Sequence, residues 1–259
     1  MKISTWNVNS VRVRMPHVKD FIEKQSPDVL LLQELKAQDK DIPATELEDL
    51  GYNLIFKGQK AYNGVAILSK YPISDIITNL YNVGDDEQAR YIECWINAKN
   101  SGFRVASIYL PNGNPINTDK FSYKLEWMTK LRNHVEKLLQ NEEMVILGGD
   151  FNICPEDRDA ANPESMRNDA LFQPESRAKF REIINLGYYD AWRSLHSEKT
   201  NWSYWDYGRA FEQNKGLRID HFLLSPSAVD KLNSIEIDTY HRSLEKPSDH
   251  APVIIKLNI

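Results

Sequence analysis

Short apolar runs that end in amides or carboxylates recur along this chain. Lys2 to Asn7 puts Ile3, Thr5 and Asn7 on one side and Ser4 and Trp6 on the other, the alternation of a strand. Val29 to Leu32 is continuously apolar, as in a strand buried on both faces, and it delivers Gln33 and Glu34. Gly51 to Lys60 predicts a short strand and loop, and Gly64 to Ser69 another strand. Tyr91 to Ile96 and Arg104 to Tyr109, parted by Asn100, Ser101 and Gly102, predict a hairpin whose second strand brings Tyr109 and Asn112 to its carboxyl end. Met144 to Leu147 is a further buried strand. Gly148 and Gly149 then predict a sharp turn that carries Asp150 and Asn152. Arg218 to Leu224 reads as a strand that opens on charged residues, and Ser248, Asp249 and His250 precede the closing strand Val253 to Leu257.

Helical spacing appears in fewer places. Pro16 is expected to open a helix with Val18, Phe21 and Ile22 on one face, ended by Pro27. Thr118 is expected to cap the longest helix, whose stripe Phe121, Leu125, Met128, Leu131, Val135 and Leu138 reads as core and nothing more. Pro174 opens another helix, with Ala178, Phe180, Ile183 and Ile184 inward and Gly187 as its stop. Between them, Pro155 to Asn168 is polar and turn-rich, a connection long enough to be functional or mobile. Trp202, Tyr204, Trp205 and Tyr207 crowd one polar segment; they suit ring packing, or stacking on a base or sugar. No Gly-, Ser- or Pro-rich linker divides the chain, so residues 1–259 are expected to form a single domain.

Composition narrows the class. At 41% hydrophobic and 27% charged residues the chain reads as an ordinary globular protein. No apolar run approaches the roughly 20 residues of a membrane span, and the first residues are strand-like rather than a secretory signal. A cytoplasmic protein with no membrane partner is therefore expected. Cys94 and Cys154 are too few for a disulfide framework and lack zinc spacing. A net charge of −5 argues against a diffuse positive field for holding nucleic acid, yet acidic residues gathered around divalent cations would leave DNA open as a substrate.

The polar residues at strand ends carry the chemistry. Asn7, Glu34, Tyr109, Asn112, Asp150, Asn152, Asp220, Asp249 and His250 form an oxygen-rich set suited to Mg²⁺ or Mn²⁺ and poorly suited to zinc. Carboxylates brought that close repel one another unless a cation neutralises them. With a metal and a His in one pocket, the natural reaction is attack of water on a phosphodiester, and Asp220 could orient His250 and favour its protonated form. A serine hydrolase is disfavoured by the absence of a Gly-x-Ser-x-Gly elbow.

Trp6 and Asn7, Gln33 and Glu34, Tyr109 to Asn112, Gly149 to Asn152, Arg218 to Asp220 and Ser248 to His250 resemble the ordered motifs of the exodeoxyribonuclease III and apurinic/apyrimidinic endonuclease family. The bacterial exodeoxyribonuclease III branch is the nearer, through Tyr109 to Lys120, Asn168 to Arg177 and Gly216 to Ser225. The resemblance implies an α/β fold, a four-layered α/β sandwich of two packed sheets flanked by helices. It implies Mg²⁺-dependent cleavage of double-stranded DNA from 3′ ends and at abasic sites, leaving a 3′-hydroxyl, by a monomer.

By the same resemblance, Glu34 is the principal metal ligand, with Asn7, Asp249, Asp150, Asn152 and His250 near the metal. Asp150 would position or deprotonate water or protonate the leaving group. Asn152 and Tyr109 would hold the phosphate, and His250 with Asp220 would be the competing base or a phosphate donor. Asn112, Tyr204, Leu217 and Ile219 would contact the substrate, the last three as walls of a pocket for an abasic sugar. Two positions depart from the pattern: Leu35 stands where many relatives have Thr, and Leu217 where the eukaryotic-type endonucleases have Trp. Because related folds act on inositol phosphates and lipids, a phosphatase or phosphodiesterase is the alternative reading. A DNA-binding module without catalysis would have lost its acidic ligands, and all of them are present.

Overall fold

The computed structural model describes residues 1–81, 84, 86–98, 102–198 and 201–259. The chain opens with β1 (Lys2–Asn7), α1 (Val11–Gln25), β2 (Val29–Gln33), α2 (Ala44–Glu48), β3 (Asn53–Lys57) and β4 (Val65–Ser69). It continues through β5 (Ile73–Ile77), β6 (Tyr91–Asn97), β7 (Gly102–Tyr109), α3 (Asp119–Gln140), β8 (Val145–Asp150), α4 (Pro174–Asn185), β9 (Tyr189–Asp190) and α5 (Ala191–Leu195). It closes with β10 (Asp220–Leu224), α6 (Pro226–Val229), β11 (Leu232–Ile237), α7 (Thr239–Arg242) and β12 (Val253–Leu257).

The strands form two six-stranded sheets, in the orders β11-β12-β1-β2-β4-β3 and β5-β6-β7-β8-β10-β9. In each sheet a parallel pair sits at the centre, β1 with β2 and β7 with β8, and both pairs deliver polar side chains at the same end. The layers follow from which faces are apolar. Ile3, Leu31 and Ile67 of the first sheet meet Ile92, Val105, Ile146 and Phe222 of the second in an inter-sheet core. On the far side of the second sheet, Ala106, Ile108 and Leu147 pack under Met128 and Leu131 of α3 and Phe180 of α4. Trp6, Leu30 and Leu32 pack under Val18 and Phe21 of α1. Each such buried aliphatic side chain contributes roughly 1.5–3 kcal/mol. The result is the expected four-layered α/β sandwich. Among the described residues no helix is long and apolar enough to cross a membrane.

Local expectations fail where a neighbour overrides propensity. Gly148 and Gly149 do not turn the chain; both lie within β8, and the sharp bend comes after Asp150. A Cβ at Gly149 would meet the Ile108 carbonyl oxygen at 2.0 Å, so the glycine serves the close pairing of β7 and β8. The first helix begins at Val11 and keeps Pro16 inside it, within its second turn. Thr118 stands at the cap of α3, but its hydroxyl bonds back to the Pro115 carbonyl and caps nothing. Phe121 and Leu125 are only half-buried, and the residue that α3 turns inward there is Lys124. β10 starts at Asp220, later than expected. Asn100 and Ser101 of the expected hairpin turn lie outside the described residues, while β6 and β7 pair antiparallel on either side.

Candidate active site

Asp150 ends β8 and is 1% exposed. Its Oδ1 accepts the Asn152 backbone N–H at 2.9 Å, and its Oδ2 accepts the Asn7 amide at 2.9 Å. The same Asn7 nitrogen donates to Glu34 Oε1 at 2.8 Å, so one amide spans the carboxyl ends of both sheets. Asn7 is itself fixed by neighbours: Ser248 Oγ donates to its carbonyl at 2.7 Å, and its Oδ1 accepts Asn9 N–H at 3.0 Å. Asn9 Nδ2 in turn donates to Asp249 Oδ1 at 3.0 Å. Glu34 follows β2 in the left-handed region, at φ 52°. Burial acts to raise its pKa, but Lys36, at 2.7 Å, and the Asn7 amide outweigh it and hold the carboxyl low.

On the other side of Asp150, His250 Nε2 lies 3.7 Å from Oδ2 and Nδ1 faces Asp220 Oδ2 at 2.8 Å. Burial disfavours the imidazolium, yet Asp220 and Asp150 together push the His250 pKa up to about 10. The Asp150 pKa rises to about 7, through burial first, with His250 opposing and Asp220 adding to the rise. Asp150, Asp220 and His250 therefore present oxygen and nitrogen atoms within 4.8 Å of one another. Asp220 Oδ1 is buried without a hydrogen-bond partner. Tyr204 packs its ring edge-on to His250 at 5.0 Å, and Trp6 Nε1 donates to the His250 carbonyl at 3.1 Å.

The donor set fits a hard divalent cation. Glu34, Asp150 and Asp249 line one cleft with amide oxygens beside them; His250 lines it too and faces Asp150, while Lys36 pairs with Glu34. The cleft has a volume of about 550 Å³. Tyr109, Asn112, Asn152, Tyr204, Leu217 and Ile219 also line it, whereas Asn7 and Asp220 stand behind it as supports. Burial first, then the nearby charges of Glu34 and Asp150, raise the Tyr109 pKa well above the usual value. Asn112 Nδ2 donates to Asn152 Oδ1 at 3.0 Å, bringing the two loop amides together.

Sequence reasoning missed part of this wall. Asn114, Asn162, Ser165, Met166, Asp169, Leu171 and Lys215 line the cleft as well. Most come from the long polar connection after β8, whose length was the only signal. The aromatic segment divides its roles. Tyr204 reaches the cleft, Trp205 is buried against Phe211 at 5.1 Å, and the Tyr207 hydroxyl bonds Asn9 and Arg14 at the rim.

Arg218 and His221 support the wall from behind. Arg218 Nε donates to Asp159 at 2.7 Å and Nη1 to Asp190 at 2.8 Å, tying the connection after β8 and the start of α5 to the stretch that holds Leu217 and Ile219. His221 Nδ1 accepts from Arg218 at 3.0 Å and Nε2 donates to the Ile153 carbonyl at 3.0 Å, so the ring is neutral. Burial first, then Arg218, lowers its pKa to about 4. Between that value and the unfolded value of about 6.5 the unfolded chain binds the extra proton. The His221 contribution to stability should thus fall as pH drops through this window, by as much as about 3 kcal/mol. Asp150, raised to about 7, pulls the other way over the same range, so the test is a difference: in urea melts at pH 7 and pH 4.5, His221→Asn should lose less stability, or gain more, than wild type, and equal slopes in the two proteins would remove His221 as a cause.

Four similarities set this geometry among known proteins. The pattern of the Endonuclease/Exonuclease/phosphatase family matches residues 4–250. Exodeoxyribonuclease III of Haemophilus influenzae is 33% identical, over 98% of this chain and 98% of its own. Two solved structures superpose over the full length of both chains: a 3′-5′ exonuclease from Neisseria meningitidis, with TM-score 0.96 and 38% identity, and an AP endonuclease from Archaeoglobus fulgidus, with TM-score 0.95 and 31% identity. The chain belongs to the endonuclease/exonuclease/phosphatase family.

Proposed function

We propose that this chain is a Mg²⁺-dependent DNA repair nuclease that hydrolyses phosphodiesters of double-stranded DNA. It acts as a 3′-to-5′ exonuclease and at abasic sites, leaves 3′-hydroxyl ends, and works as a monomeric single catalytic domain. The observation that carries the reading is the Asp150 carboxylate held between the Asn7 amide and His250, with Glu34 on the same amide. The names of its relatives agree with it.

Glu34 would hold the cation, with Asn7 and Asp249 beside it. When bound, the ion neutralises charge on the phosphate oxygens and on the leaving oxygen. His250, charged through neutral pH, is the wrong species for a base and suits donation to a phosphate oxygen. Asp150, raised toward neutrality, suits proton exchange with the attacking water. The Asn152 and Asn112 amides and the Tyr109 hydroxyl offer further donors to the phosphate.

The direct test is a duplex with one abasic site, incubated with Mg²⁺ or with chelator, followed by strand sizing. Cleavage at the abasic site that chelator abolishes is expected. Release of phosphate from inositol phosphates without strand scission would favour the phosphatase reading instead.

Substrate balance follows from Leu217. An abasic nucleotide turned out of the duplex is selected by tight apolar walls that a base-bearing nucleotide cannot enter. Tyr204, Ile219 and Leu217 line the cleft and would serve as such walls, and Leu covers less than Trp would. Leu217→Trp should reduce exonuclease action more than abasic-site cleavage. An unchanged ratio of the two rates in a stably folded variant would remove the argument.

A further inference from the structure

Lys124 is a buried lysine that the reaction described above does not use. It lies on the inward face of α3 and is 0% exposed, beside apolar Trp127 and Met128. Its Nζ donates to two peptide carbonyls, Asn112 at 3.1 Å and Asn152 at 2.5 Å. Both acceptors belong to residues whose side chains line the cleft. Taking an ammonium out of water is costly, burial lowering the Lys124 pKa to about 7, and an apolar side chain would serve packing alone better.

The two residues need such a tie. Each sits where the chain leaves a central strand, Asn112 beyond β7 and Asn152 beyond β8, and Asn152 has a left-handed backbone at φ 46°. Their side chains already interlock. Asn112 Nδ2 donates to Asn152 Oδ1 at 3.0 Å, and Asn152 Nδ2 donates to the Leu110 carbonyl at 2.9 Å. Each amide nitrogen has a second hydrogen to offer the cleft. A tilt of either peptide plane swings that hydrogen away from a shared target.

We infer that Lys124 is a positioning residue for phosphodiester cleavage, clamping the Asn112 and Asn152 peptides so that both amides converge on one phosphate. The inference rests on the nuclease reading above. The clamp matters most as charge gathers on the phosphate oxygens, so it affects turnover more than ground-state binding.

The test compares wild type, Lys124→Met and Lys124→Arg on a duplex with one abasic site and saturating Mg²⁺, with thermal melts alongside. Lys124→Met keeps the length of the stem and removes both hydrogen bonds. It should lower kcat by roughly 10–100-fold, as expected for about an ångström of misplacement, with KM within about threefold. Lys124→Arg, which restores donors, should recover much of that loss. A Lys124→Met enzyme with kcat within about threefold of wild type overturns the clamp, as does a KM that rises in step with the fall in kcat. Failure of both variants to fold assigns Lys124 to stability and likewise overturns it. A wild-type chain that leaves the duplex uncut would instead strike at the nuclease reading.

Discussion

Asp150→Asn should lower single-turnover cleavage by roughly 10³-fold or more while duplex affinity stays within about tenfold. The carboxylate is the group best poised to exchange a proton with water, because burial lifts its pKa to about 7 and its two oxygens are aimed by Asn7 and Asn152. An amide keeps the shape and cannot take the proton. The thermal melt gives a second, opposite expectation. Burial and the nearby Asp220 charge destabilise the Asp150 carboxylate more than His250 offsets, so the metal-free variant should melt no lower than wild type. His250→Asn should lose rate on the same scale for another reason, the loss of a charged donor to the phosphate. Cleavage by either variant within a few-fold of wild type would mean that its residue has been given the wrong role.

Glu34→Ala should raise the Mg²⁺ needed for half-maximal cleavage by roughly tenfold or more, and excess chelator should abolish cleavage by wild type. The substitution removes the carboxylate that shares the Asn7 amide with Asp150 and leaves Lys36 without its partner. That Lys should then occupy part of the space and charge meant for the ion. Calorimetric titration of the metal-free protein with Mn²⁺ separates binding from chemistry, and a parallel loss of affinity is expected there. Full activity in excess chelator would end the oxygen-ligand assignment.

The site was legible in the sequence because strands with a regular period deliver their last side chains to one end. Glu34, Tyr109, Asp150 and His250 could each be read from a local pattern, and the sandwich follows from where the apolar faces lie. What was not legible depends on partners far along the chain. Gly149 looked like a turn because its real constraint is the carbonyl of Ile108 on the neighbouring strand. Lys124 fell within an apolar stripe and was invisible because its acceptors lie on two distant loops. The outer cleft wall, Asn162, Ser165 and Met166, has no periodicity at all. Its shape is set by Asp159 and Arg218, an ion pair that no local pattern announces.

The bond from Ser248 to the Asn7 carbonyl joins residues 241 positions apart, and β12 pairs directly with β1 in the middle of its sheet. A ribosome making this chain releases Asn7, Glu34 and Asp150 long before His250. Until the last strand arrives, the first sheet lacks a central neighbour and the histidine has not met its aspartate. The growing chain should therefore be harmless to DNA, and contacts so distant in sequence should make folding slow for a protein of this size. Catalytic competence would appear in one late step rather than build up gradually.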